Sequence, residues 1–358
     1  MKSLRCAAVS FASGHPMAYS AGLADHPDVD LVAVADVAGT TERAEMARRF
    51  ASERHVPYFE DYRRMLDSCA PDIVSVCAPP QQSGGVLIEL ARRSVHMICE
   101  KPFAASLAEG ERVAQAVRDA GVVFSLDIPS ACFPRSIRDA QSRVLSGAVG
   151  RPRIAFCQFL QNKGPRYTYT VVDGEKVPPA YGELLNFGPY AFLAMAKAIG
   201  QPLQSVFARC DTFFYDHYRE AGLEDMCLAS ITFSGGAVGH VVVGRTPTAS
   251  LPATDYRLEI AGSEGSVFVE DGMGEKVHVW GPYTDGDDPF ERGGLSYLYY
   301  SSSPVAAYIN DVVEAVRSKG QPCITIEDAL ECMRFTEACV KADNTGQPVH
   351  LRSQTPSS

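Results

Sequence analysis

The sequence predicts an α/β fold followed by an α+β one: first a doubly wound parallel sheet, then a large, mainly antiparallel sheet with helices on one face. Three observations predict it. The chain has 358 residues, a length suited to two domains. Up to residue 128, short and fully apolar runs alternate with helix-length segments, which is the pattern of strands buried on both faces. Beyond residue 129 the period changes to strand-like runs joined by hairpin chemistry, continuing to residue 351. Residues 352–358 read as a disordered tail.

Residues 4–10 form the first predicted strand, and the loop Phe11–His15 leads to Pro16, which suits the first turn of a helix reaching Ala24. Leu31–Asp36 is a second apolar strand ending in an acid, followed by helices near 41–54 and 62–69. Strand 72–77 then runs into Ala78-Pro79-Pro80-Gln81-Gln82, read as a rigid turn, with a helix over 83–94. Val95-His-Met-Ile-Cys-Glu-Lys-Pro102 is an apolar strand that delivers Glu100 and Lys101 to the sheet edge. There Pro102 bars its continuation, and the Lys101–Pro102 bond is a candidate for the cis form. Ser106 and Glu109 make a capping box for a helix stopping at Gly121, before a strand over 122–126.

In the second region, strand-like runs occupy 153–160, 205–214, 226–233, 237–244, 257–261 and 266–269. Ser234-Gly235-Gly236 and Gly262-Ser-Glu-Gly265 supply turns between them. Helices are predicted at 135–146, 182–199, 304–318 and 326–343, the last capped by Thr325 and Asp328. Asp216-His217-Tyr218-Arg219 reads as a lid or a surface turn.

Composition excludes several function classes. The formal charge is −10, against a nucleic-acid surface, and no apolar run has the roughly 18–20 residues needed to span a bilayer. Eleven cysteines form no Cys-x-x-Cys pair, and several lie in apolar runs, which points to reduced thiols in a cytoplasmic setting. The eight histidines show no metal-binding spacing, so no metal site is expected.

At the carboxyl edge of a parallel sheet, a glycine-rich turn lets the backbone approach a dinucleotide pyrophosphate at a helix N-terminus. Here that turn is degenerate: Ser10, Ala12, Ser13, Gly14 and His15 occupy it, small but with one displaced glycine. Asp36, ending the second strand, is placed to accept both hydroxyls of a ribose. Its charge would repel a 2′-phosphate, which favours NAD over NADP. Ala78, Pro79, Gln82, Glu100 and Lys101 complete the expected cofactor edge.

Together, Leu31–Asp36, Asp61-Tyr62 to Leu66, Pro71-Asp72, Glu100-Lys101-Pro102, Leu258–Gly265 and Thr345–Leu351 resemble the Gfo/Idh/MocA oxidoreductase family, which includes glucose-fructose oxidoreductase and inositol dehydrogenase. The resemblance implies a Rossmann domain joined to a substrate and oligomerisation domain. It further implies an active site between them, and a homodimer or homotetramer through open sheet faces. Gly182–Leu193 resembles the second family signature, Asp-x-Gly-x-His-x-x-Asp, with Asn186, Tyr190 and Leu193 replacing the two acids and the histidine. Some members carry tyrosine at the histidine position.

The reading that results is hydride transfer between nicotinamide and a hydroxyl or carbonyl of a sugar, cyclitol or related polyhydroxy compound. An unperturbed tyrosine has a pKa of about 10, and a nearby ammonium favours its phenolate, so Lys101 and Tyr190 form the expected catalytic pair. Asn186 cannot act as a base, but it can orient a substrate hydroxyl. Lys163, Arg166 and Tyr181 are further substrate candidates. Two alternatives stand beside this one. The degenerate loop and missing acids suit a non-catalytic dinucleotide or sugar sensor, and the same fold also accommodates a redox-neutral or imine-reducing enzyme that recycles NAD.

Overall fold

The structure is a computed structural model that describes residues 2–12, 15–37, 44–161, 170–172, 175–177, 182–247, 254–271, 276–280 and 304–351. In chain order the first elements are β1 (Leu4–Val9), α1 (Pro16–Ala24), β2 (Val29–Ala35), α2 (Ala44–Glu53), β3 (Tyr58–Phe59), α3 (Tyr62–Cys69), β4 (Ile73–Val76), α4 (Pro80–Arg92), β5 (His96–Cys99), α5 (Leu107–Ala120) and β6 (Phe124–Leu126). After them come α6 (Arg135–Leu145), β7 (Pro152–Gln161), β8 (Thr170–Val172), β9 (Glu175–Val177), α7 (Glu183–Ile199), β10 (Leu203–Asp211), α8 (Asp216–Glu220), β11 (Met226–Phe233), β12 (Val238–Arg245), β13 (Thr254–Gly262), β14 (Ser266–Asp271), β15 (Lys276–Trp280), α9 (Pro304–Ser318), α10 (Ile326–Thr345) and β16 (Val349–His350).

Two compact units result: residues 1–129 with 170–175 and 303–333, and residues 130–169 with 176–302 and 334–358. The linear division expected at 128/129 does not express this return, because α9 closes the first unit after the chain has left it. Only packing reveals that return; the apolar face of α9, with Tyr308, Ile309, Val312 and Val313 buried, looks in sequence like that of any other amphipathic helix.

In the first unit the sheet order is β3-β2-β1-β4-β5-β6, with every pairing parallel. The order reverses between β1 and β4, so the loops after these two strands diverge at one point of the carboxyl edge, where such sheets bind ligands. All four residues of β4 are buried, as a strand covered on both faces requires. The Ser106 hydroxyl accepts the Glu109 N–H at 3.3 Å, and Gly121 closes α5 in the left-handed conformation, φ 62°. One predicted boundary moves. The stretch read as a rigid turn through Gln82 is helical from Pro80, because proline at the first helical position has a suitable φ and no amide hydrogen to leave unbonded.

In the second unit the sheet order is β15-β14-β13-β7-β12-β11-β10-β16. It is antiparallel except where β12 runs parallel to β7. Helix α7 packs on β7, β11 and β12, and its face is apolar from Phe187 to Met195. Asp216–Arg219 is not a surface turn: it forms α8, and Tyr218 within it is fully buried. Among the described residues no helix is long and apolar enough to cross a membrane, and no cluster of histidine, cysteine and acidic side chains is arranged to hold a metal ion.

Candidate functional site at the carboxyl edge and on helix α7

The loop after β1 is held on both sides by backbone bonds. Ser10 N–H donates to the Ala35 carbonyl at 2.9 Å, and Ala12 N–H to the Cys77 carbonyl at 3.1 Å. Ser10 adopts φ 63°, a left-handed conformation that favours glycine. Its side chain is buried, and the hydroxyl has no hydrogen-bond partner. Asp36 stands one residue past β2, with its backbone fixed by bonds to Phe59 and Tyr62. It is only 2% exposed. The Tyr58 hydroxyl donates to Oδ2 at 2.9 Å, while Oδ1 is buried without a partner. Burial raises the Asp36 carboxyl above the ordinary aspartate range, opposed by the Tyr58 bond, the nearby Ser10 hydroxyl and the Arg48 guanidinium. Burial and the Asp36 contact push the Tyr58 phenol up to about 12.

The loop after β4 places Ala78 and Pro79 directly before α4, where the Ser83 hydroxyl donates to the Ala78 carbonyl at 2.9 Å. Gln82 lies in the first turn of that helix. Glu100 and Lys101 follow β5, with the Lys101–Pro102 bond in the cis form. Glu100 is 3% exposed, and its Oε2 lies 3.5 Å from Nδ1 of His15. The first unit thus brings Ser10, Ala12, His15, Asp36, Ala78, Pro79, Gln82, Glu100 and Lys101 to the carboxyl-end side of one sheet. Ser13 and Gly14 lie outside the described residues, as do Lys163, Arg166 and Tyr181.

Sequence reasoning missed the acid beneath this edge. Asp127 follows β6 and is fully buried. Its Oδ1 accepts the Tyr308 hydroxyl of α9 at 2.8 Å, and its Oδ2 has no partner. Burial, then the charge of Glu100, holds its carboxyl well above the ordinary range, which favours its protonated form. The only signal in the sequence is an acid at the end of an apolar strand, which nothing ties to a tyrosine 181 residues away.

Asn186 and Tyr190 lie in the second unit, on α7, one turn apart and on the same helix face. Tyr190 is 8% exposed and stacks on Phe159 of β7, with ring centroids 5.6 Å apart and planes inclined by 16°. The start of α7 is clamped by Glu224, whose carboxylate accepts the N–H groups of Gly182 and Leu184 at 2.9 and 3.0 Å. Gly182 is required there, because a Cβ would come within 1.9 Å of the Glu224 carbonyl oxygen. Beside Asn186, sequence reasoning also missed a buried ionic network. Glu183 is 1% exposed and accepts Arg245 Nε at 2.7 Å, the Tyr218 hydroxyl, and Asn186 Nδ2 at 2.9 Å. Burial and the Glu183 charge push the Tyr218 phenol well up.

Residues 11–128 match the oxidoreductase family with an NAD-binding Rossmann fold, and residues 137–268 match the GFO/IDH/MocA C-terminal domain. The chain belongs to the GFO/IDH/MocA oxidoreductase family. The matched family is one of oxidoreductases whose N-terminal domain is an NAD-binding Rossmann fold. It is 23% identical over 327 residues to myo-inositol 2-dehydrogenase of Thermotoga maritima, covering 90% of this chain and 92% of that one. It is 24% identical over 326 residues to the NAD(+)-dependent scyllo-inositol 2-dehydrogenase of Bacillus subtilis, covering 91% and 90%. An oxidoreductase from Agrobacterium radiobacter, crystallised with NAD+, L-tartaric acid and magnesium, superposes with a TM-score of 0.78 at 17% identity over 98% of both chains.

The edge of this family member fits a nicotinamide dinucleotide on its own geometry. Asp36 Oδ1, buried without a full hydrogen bond and with the Ser10 hydroxyl nearby, lies beside a loop of small residues, and a buried polar atom of this kind calls for a ligand or water.

Proposed function

We propose that the protein oxidises or reduces a hydroxyl or carbonyl of a cyclitol, sugar or related polyhydroxy compound, using NAD. The observation that carries the cofactor choice is the buried Asp36 carboxylate with its unpartnered Oδ1. Two ribose hydroxyls would satisfy it, whereas a 2′-phosphate would set like charges together. Ser10, Ala12, Ser13, Gly14, His15, Asp36, Ala78, Pro79, Gln82, Glu100 and Lys101 would hold the cofactor. When bound, nicotinamide supplies or accepts the hydride.

The protein's own residues handle the proton and the orientation. Tyr190 exchanges the proton of the reacting hydroxyl, and its packing against Phe159 restricts the ring. Lys101 supplies positive charge that favours the phenolate and steadies developing negative charge on the substrate oxygen. Asn186 orients the hydroxyl, with Lys163, Arg166 and Tyr181 as further substrate contacts. The names of the inositol dehydrogenases in the family support the polyol class.

A homo-oligomer in the cytoplasm completes the proposal. Ile154, Phe156, Phe207, Leu228 and Val238 are 42–48% exposed on the second sheet, and Phe156 stacks on His240 at 5.3 Å, an apolar patch suited to a second copy. None of the eleven cysteines forms a disulfide, as a reducing compartment favours.

The test is a screen of NAD reduction across inositols, sugars and sugar alcohols, with NAD(H) and NADP(H) titrations. Turnover with at least one polyol, lost in Lys101→Ala while NAD still binds, is expected. Binding of NADP alone would overturn the cofactor choice. Binding of NAD with no turnover on any member would favour the sensor.

A further inference from the structure

Strands β10 and β11 carry two thiols at one register position. Cys210 and Cys227 face each other directly across the antiparallel pair, and their sulfurs lie 2.9 Å apart. Directly opposed residues in such a pair have Cα atoms about 4.5–5.5 Å apart, inside the roughly 4.4–6.8 Å that a disulfide spans. Closing 2.9 Å to the roughly 2.05 Å of a covalent bond is a shift that the sheet accommodates without a change of fold. The two thiols differ in access. Cys227 is 1% exposed, whereas Cys210 is partly exposed and lines a cleft of about 270 Å³ with Thr212, Glu224, Asp343 and Asn344. A water molecule occupies about 30 Å³ in the liquid, so a small peroxide fits there. A third thiol, Cys339 of α10, is fully buried and hydrogen-bonds to Cys227.

We infer that Cys210 and Cys227 form a redox site that hydrogen peroxide converts to a reversible disulfide, Cys210 meeting the oxidant and Cys227 resolving it. In the first step the Cys210 sulfur attacks a peroxide oxygen. The O–O bond breaks, the thiol proton goes to the departing oxygen, and water leaves a sulfenic acid on Cys210. The Cys227 sulfur then attacks the Cys210 sulfur. The S–S bond forms, the S–O bond breaks, and the hydroxyl leaves as water with the Cys227 proton. The two thiols lose two electrons, and the peroxide gains them. A dithiol restores the pair by exchange, as suits a transient bridge in a reducing compartment.

The surroundings set the speed. The bond to Cys227, then burial, then the charges of Glu224 and Asp343 push the Cys210 thiol well up. Thiolate, the attacking form, is therefore scarce, and the site answers sustained oxidant slowly. The bridge also has a mechanical effect. It ties the base of the connection 212–225, in which the Asp225 carboxylate accepts the N–H groups of Phe213, Phe214 and Tyr215 at 2.8, 2.7 and 2.8 Å. Opening of that connection requires the ends of β10 and β11 to part, which a covalent tie prevents.

The test uses the full chain, treated with graded hydrogen peroxide, alkylated under denaturing conditions and mapped by non-reducing peptide mass spectrometry. Modification of the exposed Cys323 verifies the dose. A Cys210–Cys227 cross-linked peptide that dithiothreitol removes is expected. In Cys210→Ser, Cys227 should stay alkylatable at the same dose; in Cys227→Ser, dimedone should trap a sulfenic acid on Cys210. Amides of residues 213–215 should exchange with solvent several-fold more slowly in the bridged protein than in the reduced one. Cys210 and Cys227 both recovered as free thiols while Cys323 is oxidised would overturn the inference, and this result needs no variant to fold. A Cys227–Cys339 bridge in place of the expected one overturns the assignment of Cys210, and equal amide exchange overturns the tie. None of these readouts depends on the proposed cofactor or substrate.

Discussion

Replacing Asp127 with asparagine should leave the fold intact and change how its stability responds to pH. The carboxyl is fully buried, its Oδ1 accepts the Tyr308 hydroxyl at 2.8 Å, and burial raises its proton affinity well above that of an ordinary aspartate. In the unfolded chain an aspartate releases that proton near pH 3.9. Its folded affinity is raised, so the native state binds the extra proton once the pH exceeds the unfolded value. Stability is therefore fully present below about pH 4 and falls as pH rises toward the folded value, by about 1.4 kcal/mol per pH unit. Asparagine keeps the acceptor for Tyr308 and has nothing to titrate. Urea unfolding followed by circular dichroism at pH 5, 6 and 7 should show Asp127→Asn gaining on the original protein with that slope. Asp127→Ala should share the slope and be offset downward, because the Tyr308 bond is lost as well. Parallel pH profiles for the original protein and Asp127→Asn would refute a raised Asp127 carboxyl.

Other outcomes follow from the same geometry. Asp36→Ala should weaken NAD binding by about 10- to 100-fold, the loss of one or two bonds to a charged acceptor, and narrow the gap to NADP in calorimetric titrations; unchanged NAD affinity would remove Asp36 from the cofactor site. Tyr190→Phe should keep the ring stacked on Phe159, so melting temperature holds while kcat falls by about 100-fold or more in steady-state assays. Ser10→Gly should raise stability by about 1 kcal/mol, by relieving φ 63° at a residue with a Cβ, as measured by thermal unfolding. Phe156→Glu, which puts charge in the exposed apolar patch, should shift the proposed oligomer toward monomer in sedimentation experiments.

Much of the fold was legible because local signals agreed with one another. Ser106, Glu109 and Gly121 mark both ends of α5, and Pro16 marks the start of α1. Unbroken apolar strands pointed to a sheet covered on both sides, and Asp36 stood out as an acid where such a strand stops. Pro79-Pro80 misled, because proline punctuates turns and opens helices equally well. What stayed hidden depends on register and packing. Glu183, Tyr218 and Arg245 come from a helix start, a five-residue helix and a strand end, and nothing in their spacing says that they converge. The network around Asn186 was therefore invisible, although Asn186 itself was singled out as a departure from the family pattern.

The return of the chain to its first unit has a consequence for synthesis. Residues 1–129 emerge from the ribosome first, yet their strands β5 and β6 stay unfinished until residues 303–333 arrive. In the interval Asp127 lacks the Tyr308 hydroxyl, and the Ser125 hydroxyl lacks the Ile324 carbonyl to which it donates at 2.8 Å. A nascent N-terminal half thus carries a buried acid with no donor and an uncovered apolar face. The carboxyl ends of β5 and β6 are thus braced by a segment made more than 170 residues after residue 129.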